Sequence, residues 1–454
     1  MTLISHRNLQ KGLRGLSTIE LYSPFSKNLS LHTSKMGSTM NVRSFRPVTP
    51  GITPIPEDKT DSRSDEDLIE ALRHPVPVRH ERNVWAFWNA GFDNMRPWTQ
   101  RNVLGWIRRQ GPSWDVRLLD MVPGSSTNVQ NFVPPEYLPE CFKSGTMDGI
   151  AKGQHASDMA RLPLLYLHGG VWLDVGSILL RNFDDIFWRD LEDPASPFEV
   201  GVTLFQSRKF IGQCLTGFIG ARKGNPFIER WMQLWLELWK DGRTNCFGLH
   251  EHPLLKPLGL IVPPEEQEHD HPRTIDLGGA GVFDLKITTD YLGFNMAYER
   301  VRLLKDAKTG WNGPEYYRRH VHLLDTVDEV WKSHEMLLQD ELFPLLSLSF
   351  EPEHIETDPK QKAAADYVGC VLANCSMAKY SQGHWQPGAR VPLAMTWGMP
   401  ENADADIKRG TWAEYFRWAS IFCGQTRLQG VCLPSLTLPE EQDEIIEGGL
   451  LEAK

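Results

Sequence analysis

The sequence predicts an α/β fold built on a largely parallel sheet. Three observations carry that expectation. Residues 83–88 (NVWAFW) are a short aromatic and β-branched run, the pattern of a buried strand. A helix pattern over 97–110 and a second strand pattern over 114–119 follow it, in the strand–helix–strand order of a parallel unit. The same logic recurs where a helical run over 153–168 leads into the apolar Val171-Trp172-Leu173.

Taken in order, residues 1–80 read as a disordered basic leader and Pro-rich linker. The first 50 are rich in Ser, Thr and basic residues, a composition shared by disordered tails and mitochondrial transit peptides. Residues 47–78 carry six prolines around a charged patch, 58–70, with room for one short helix. The helix over 97–110 offers Trp98, Val103, Leu104 and Ile107 to one face and is stopped by Gly111-Pro112. The helix over 153–168 repeats Ala156, Met159, Ala160, Leu164 and Leu167 at three- and four-residue steps. Pro163 inside it predicts a kink or a break, and Gly169-Gly170 closes it.

Further strands are expected at 199–205 and 215–221. Residues 227–240 form a helix whose Phe227, Trp231, Trp235 and Trp239 make one core stripe. The chain from 260 to 300 reads as loop-rich, with Pro263-Pro264 and Gly278-Gly279. Helices are expected over 360–380 and 411–423, followed by an acidic, frayed tail from Leu438.

Composition narrows the class. The 454 residues are 41% hydrophobic and 23% charged, ordinary globular usage that rules out wholesale disorder. The net charge of −10 argues against a general nucleic-acid binder. That charge is unevenly spread: residues 1–50 hold seven Lys/Arg and one acid, Glu20, so the remainder carries −16. Binding a phosphorylated ligand on such a body requires locally placed cations or a metal. Seven cysteines without a CxxC pair point to reduced thiols rather than a disulfide framework or zinc cluster. No apolar run is long enough for a membrane span, and no apolar stretch follows the N-terminal basic residues as a secretory signal would require. A cytoplasmic setting is expected, with the transit peptide as the alternative.

The strongest local feature runs from His155-Ala-Ser-Asp158 to Asp174-Val-Gly176-Ser177. Asp158 and Arg161 share a helix face, and Asp174 stands just beyond the next strand. Ligands of open α/β sheets bind at the carboxyl ends of strands. The bland alternative is an i,i+3 ion pair between Asp158 and Arg161, worth a few tenths of a kcal/mol, with Asp174 capping a turn.

These residues resemble the signature of the capsular polysaccharide synthesis-like glycosyltransferases. The matching positions are Ser157-Asp158, Arg161, Tyr166, Gly169-Gly170, Trp172 and Asp174. Flanking blocks agree: residues 83–88 and 114–120 look like the family's opening strands, and 218–227 like a later strand-to-helix passage. The resemblance covers roughly residues 82–255. It implies a GT-A-like nucleotide-diphospho-sugar transferase fold over 81–345 with a helical C-terminal extension and acidic tail over 346–454. It also implies a nucleotide-diphospho-sugar donor and an acceptor that the sequence does not identify. In such a site a Mn²⁺ or Mg²⁺ ion held by carboxylates neutralises the departing diphosphate.

On that resemblance Asp174 is the candidate catalytic and metal-binding residue. Trp88, Asn89, Asp158, Arg161, Asp174 and Ser177 are the candidate donor-binding set, with Trp88 either a ring to stack on a base or a core tryptophan. The family's DxD motif is incomplete, because Gly176 stands where the second carboxylate belongs. Ser177, Asp184, Asp185, His250, His252, His320 and His322 are candidates to complete a metal site. Arg222 and Lys223 could face phosphate or water. The incomplete motif leaves a second function open: the same fold reused in secondary metabolism to bind, cyclise or isomerise an apolar small molecule.

Overall fold

The computed structural model describes residues 45–149, 151–205, 214–261, 274–276, 282–380, 391–433 and 445–453, and a six-stranded sheet organises them. The elements that position the site are, in chain order, β1 (Ile52–Pro54), α1 (Asp65–Arg73), β2 (Asn83–Phe87), α2 (Pro97–Gln110), β3 (Asp115–Leu119), α3 (Lys152–His168), β4 (Gly170–Leu173), β5 (Ser177–Leu179), β6 (Val200–Leu204), β7 (Cys214–Ala221), α4 (Pro226–Leu238), α5 (Gly293–Leu303), β8 (Val321–Asp325), α6 (Pro359–Asn374), β9 (Met377–Lys379), α7 (Trp412–Phe422) and β10 (Cys423–Gln425). The sheet runs β8-β6-β7-β4-β2-β3. Only β7 is antiparallel to its neighbours. The mixed α/β class is therefore as the sequence predicts.

Alternation along the strands sends side chains to two faces. Trp85, Phe87, Trp172 and Ile219 pack with the apolar sides of α3, α4 and α5. Val84, Ala86, Val171 and Phe218 pack with α1 and α2. Trp231, Trp235 and Trp239 are buried in the first of these cores, as the four-residue stripe predicts. A third core joins β5 and β9 to α6 and α7. All seven cysteines are free thiols. Among the described residues no helix is long and apolar enough to cross a membrane.

The structure departs from the sequence expectation in five places. The helix α3 runs unbroken through Pro163, with fully buried Leu162 and Leu164 holding the turn where a backbone bond is lost. The described part of the stretch read as loop-rich contains Leu285–Tyr291 and α5 as helices, while its Pro263-Pro264 and Gly278-Gly279 lie outside the described residues. Ten of the eleven residues of α5 are buried, so it shows little amphipathic period to find. The helix expected over 360–380 ends at Asn374, and β9 then pairs with β5.

The segment read as linker is also structured from residue 45. Its strand β1 pairs with β10, and α1 buries Leu68, Ile69 and Leu72 behind a Ser64 cap. The acidic tail is pinned as well: Ile446–Glu447 pairs with Leu304–Asp306, and Arg300 donates to the carbonyls of Gly449, Leu450 and Glu452. Residues 1–44 of the leader and residues 434–444 of the tail lie outside the described residues.

Candidate active site

The site is built where α3 turns into β4. Three polar residues, His155, Asp158 and Arg161, recur every third position on the buried side of α3. That spacing stacks them on one face. His155 Nδ1 lies 3.3 Å from Asp158 Oδ2, and Arg161 Nη1 lies 3.2 Å from Asp158 Oδ1. The helix ends at Gly169, which adopts a positive φ of 69°, and Gly170 follows at 111°. Only glycine takes this turn without strain. The chain reverses there into β4 and delivers Asp174 to the carboxyl end of the sheet.

Asp174 is surrounded by donors. Lys379 Nζ lies 2.7 Å from Oδ2. Arg161 Nη2 lies 3.3 Å from Oδ1, and the Trp172 indole N–H donates to that same oxygen at 3.0 Å. Burial alone would raise its pKa, but Lys379 and Arg161 outweigh it and hold the carboxyl well below the usual carboxylate range. Arg161 itself is sandwiched between rings, its guanidinium carbon 4.8 Å from the Trp172 centroid and 5.2 Å from that of Phe294.

His155 is the other ionisable member. Burial lowers its pKa, but Asp158 and Cys246 together push it up to about 9. Its ring sits among Trp235, Trp239 and Tyr291. The cluster thus sets three basic side chains, His155, Arg161 and Lys379, beside the two carboxylates Asp158 and Asp174. Basic side chains gathered at a sheet's carboxyl edge suit an anionic ligand.

The loop that carries Asp174 is tied down from behind. Asn102 on α2 donates to the Val175 carbonyl at 2.8 Å. Asn102 in turn accepts from Arg417 on α7, and Arg417 pairs at 2.7 Å with the fully buried Asp406. Gly217 on β7 accepts the Asp174 N–H at 2.9 Å, and a side chain there would collide with both Asp174 and Lys379.

Asp158, Arg161 and Asp174 therefore converge as the spacing suggested, and the Asp158–Arg161 ion pair of the bland reading is part of the same cluster. Trp88 stands half-buried just past β2, against the apolar cluster that also receives Val175. Its indole donates to the Asn94 carbonyl, and the carbonyl of exposed Asn89 accepts from Met121. Ser177 is fully buried in β5, and its hydroxyl finds no partner among the described residues. The other candidates are engaged elsewhere. His250 bonds Asp290, His252 accepts from Leu254, His320 donates to Pro197 and His322 faces Asp190. Asp184 pairs with Arg82, Asp185 with Arg189, and Arg222 with Glu81.

Sequence reasoning missed Lys379 altogether and gave His155 no role. His155 had a signal, the three-residue polar step shared with Asp158 and Arg161. Lys379 had none, because it lies 205 positions from Asp174 in a strand read as helix.

A Mn²⁺ or Mg²⁺ ion takes mostly oxygen ligands, with carboxylates foremost. Asp174 offers one carboxylate whose oxygens already face an ammonium, a guanidinium and an indole N–H. At Gly176 a Cβ would lie 2.6 Å from the Tyr380 carbonyl oxygen, so the second carboxylate of a DxD motif has no room. Among the described residues no three His, Cys, Asp or Glu side chains gather to hold a metal ion. Among the described residues the donor set at Asp174 does not fit either ion.

Comparison with known proteins completes the picture. The model of the family described as capsular polysaccharide synthesis protein matches residues 60–247. The O-glycosyltransferase braB of Annulohypoxylon truncatum is 40% identical over 92% of this chain and 97% of its own length. The glycosyltransferase afumC of Aspergillus fumigatus is 39% identical over 88% of this chain and 99% of its own. The O-glycosyltransferase PaGT of Phomopsis amygdali is 34% identical over 83% of this chain and 91% of its own.

Proposed function

The chain belongs to the capsular polysaccharide synthesis-type family of glycosyltransferases, and from that membership we propose that it moves a sugar from a nucleoside-diphosphate donor to an acceptor hydroxyl. In this reading residues 81–345 are a transferase domain of GT-A type and residues 346–454 its helical extension. The C1–O bond to the β-phosphate breaks, and its electron pair stays on the phosphate oxygen. The acceptor oxygen bonds to C1 and its proton leaves to water. The names of two relatives as O-glycosyltransferases support an oxygen acceptor.

The observation that carries the reading is the convergence of Asp158, Arg161 and Asp174 at the end of β4, with Lys379 as a second cation. Arg161 presents a fork suited to phosphate. Asp174 holds the cations in place, Asp158 faces the donor sugar, and Trp88 offers a ring for the base beside Asn89. Ser177, the last of the donor-binding set, braces the Asp174 turn by donating its N–H to the Asp174 carbonyl at 3.1 Å.

The test is titration of the full chain with UDP and with GDP, with and without Mn²⁺, followed by tryptophan fluorescence. One nucleotide should bind, and Asp174→Ala should weaken it at least about tenfold, or about 1.4 kcal/mol. Binding untouched by Asp174→Ala would overturn the assignment. Tight binding of an apolar metabolite with no nucleotide binding would favour the reused fold instead.

A further inference from the structure

The strand that carries Lys379 also closes the place where a metal-dependent site keeps its second carboxylate. Beyond β9, the Tyr380 N–H donates to the Gly176 carbonyl at 2.9 Å. The Tyr380 carbonyl stands where a Cβ of residue 176 would have to be. One residue earlier, opposite Ser177 in the β5–β9 register, Lys379 extends its ammonium to Asp174. Gly217 leaves the space beneath that pair free of side chain. One backbone segment thus removes a carboxylate position and adds a cation beside the carboxylate that remains.

We propose that Lys379, together with Arg161, supplies the positive charge that a divalent cation would otherwise bring to the departing nucleoside diphosphate. This rests on the sugar-transfer reading given above. When the C1–O bond breaks, the electron pair remains on the β-phosphate oxygen. An ammonium and a guanidinium meet that charge with charge-assisted hydrogen bonds. No metal ion and no further reactant enter the balance: the acceptor oxygen bonds to C1, and its proton passes to water. Asp174 is then a positioning residue, fixing Lys379 and Arg161 from opposite oxygens. The lone Asp174 ceases to be a defective DxD motif.

The experiment titrates the full chain with UDP, GDP and inorganic pyrophosphate, once in EDTA and once in Mn²⁺, and compares wild type with Lys379→Met and Lys379→Arg. The nucleotide that binds should do so in EDTA within about twofold of its affinity in Mn²⁺, and pyrophosphate should compete with it. Lys379→Met should weaken that binding by about tenfold or more, while Lys379→Arg keeps most of it. Should Lys379→Met not fold, the EDTA comparison on the wild type decides alone. Binding that requires Mn²⁺ and ignores Lys379→Met overturns the inference but leaves sugar transfer standing. No binding of either nucleotide or of pyrophosphate in any condition overturns the sugar-transfer reading, and this inference with it.

Discussion

Arg161 and Asp174 are 13 positions apart in sequence and 3.3 Å apart across the turn that joins α3 to β4. The same guanidinium reaches Asp158 on its other side. One side chain therefore sets the spacing of both carboxylates, and its removal is the sharpest probe of the cluster.

Arg161→Met should leave Asp158 and Asp174 without their shared cation and strip the ring contacts of Trp172 and Phe294. We expect turnover to fall by about two orders of magnitude and stability by about 3 kcal/mol, as for a buried pair broken on one side. Arg161→Lys should recover most of the stability and little of the activity, because an ammonium lacks the fork. Turnover and chemical denaturation, measured on both variants, check this.

Gly176→Asp rebuilds the missing DxD carboxylate in sequence but should not rebuild a metal site. The Tyr380 carbonyl blocks the Cβ, so β9 has to shift. The variant should lose about 1–3 kcal/mol, the usual scale for overpacking. Thermal unfolding with and without Mn²⁺ tests it: a rise in midpoint on adding the metal contradicts the expectation.

His155 makes stability depend on alkaline pH. Its folded pKa of about 9 lies above the ordinary 6.5. A raised pKa contributes stability in full below the unfolded value and loses it as pH climbs through the folded one. Stability should thus decline between roughly pH 7 and 10, by on the order of 2 kcal/mol. His155→Gln should flatten that limb, as denaturant midpoints across the range would show.

Asp406 gives the opposite dependence. Burial raises its pKa, but Arg417 and Arg101 outweigh it and hold it below the ordinary 3.8. Its stabilisation is present above that ordinary value and is lost as pH falls towards the folded one. Asp406→Asn should cost about 3–5 kcal/mol near neutrality by stranding Arg417. Through Arg417 and Asn102 it should also loosen the Val175 loop and weaken nucleotide binding. Equilibrium unfolding and the same nucleotide titration measure both effects.

Much of the sheet was legible because its signals are local. Residues 83–119 and 153–173 each show a strand or helix period bounded by Gly or Pro, and the structure follows them within a residue or two. The Trp231 stripe was legible for the same reason. Helix α5 was hidden because burial on nearly all sides erases periodicity. Strand β9 was hidden because three residues after a helix look like more helix. In the candidate site, Asp158, Arg161 and Asp174 lie within 17 consecutive positions and could be grouped by eye. Lys379 and the Tyr380 carbonyl meet them only through the pairing of β9 with β5, and no local pattern announces a contact made by folding over two hundred positions.

That long-range pairing sets an order of events during synthesis. A ribosome that has reached residue 247, where the family match stops, has made Asp158, Arg161 and Asp174 but not Lys379. At that stage β6 also lacks β8, so one side of the sheet presents bare backbone amides and carbonyls. The nascent protein holds an acidic residue awaiting its second cation and an open strand awaiting its neighbour. Expressed as a fragment, residues 60–247 should therefore aggregate rather than bind nucleotide.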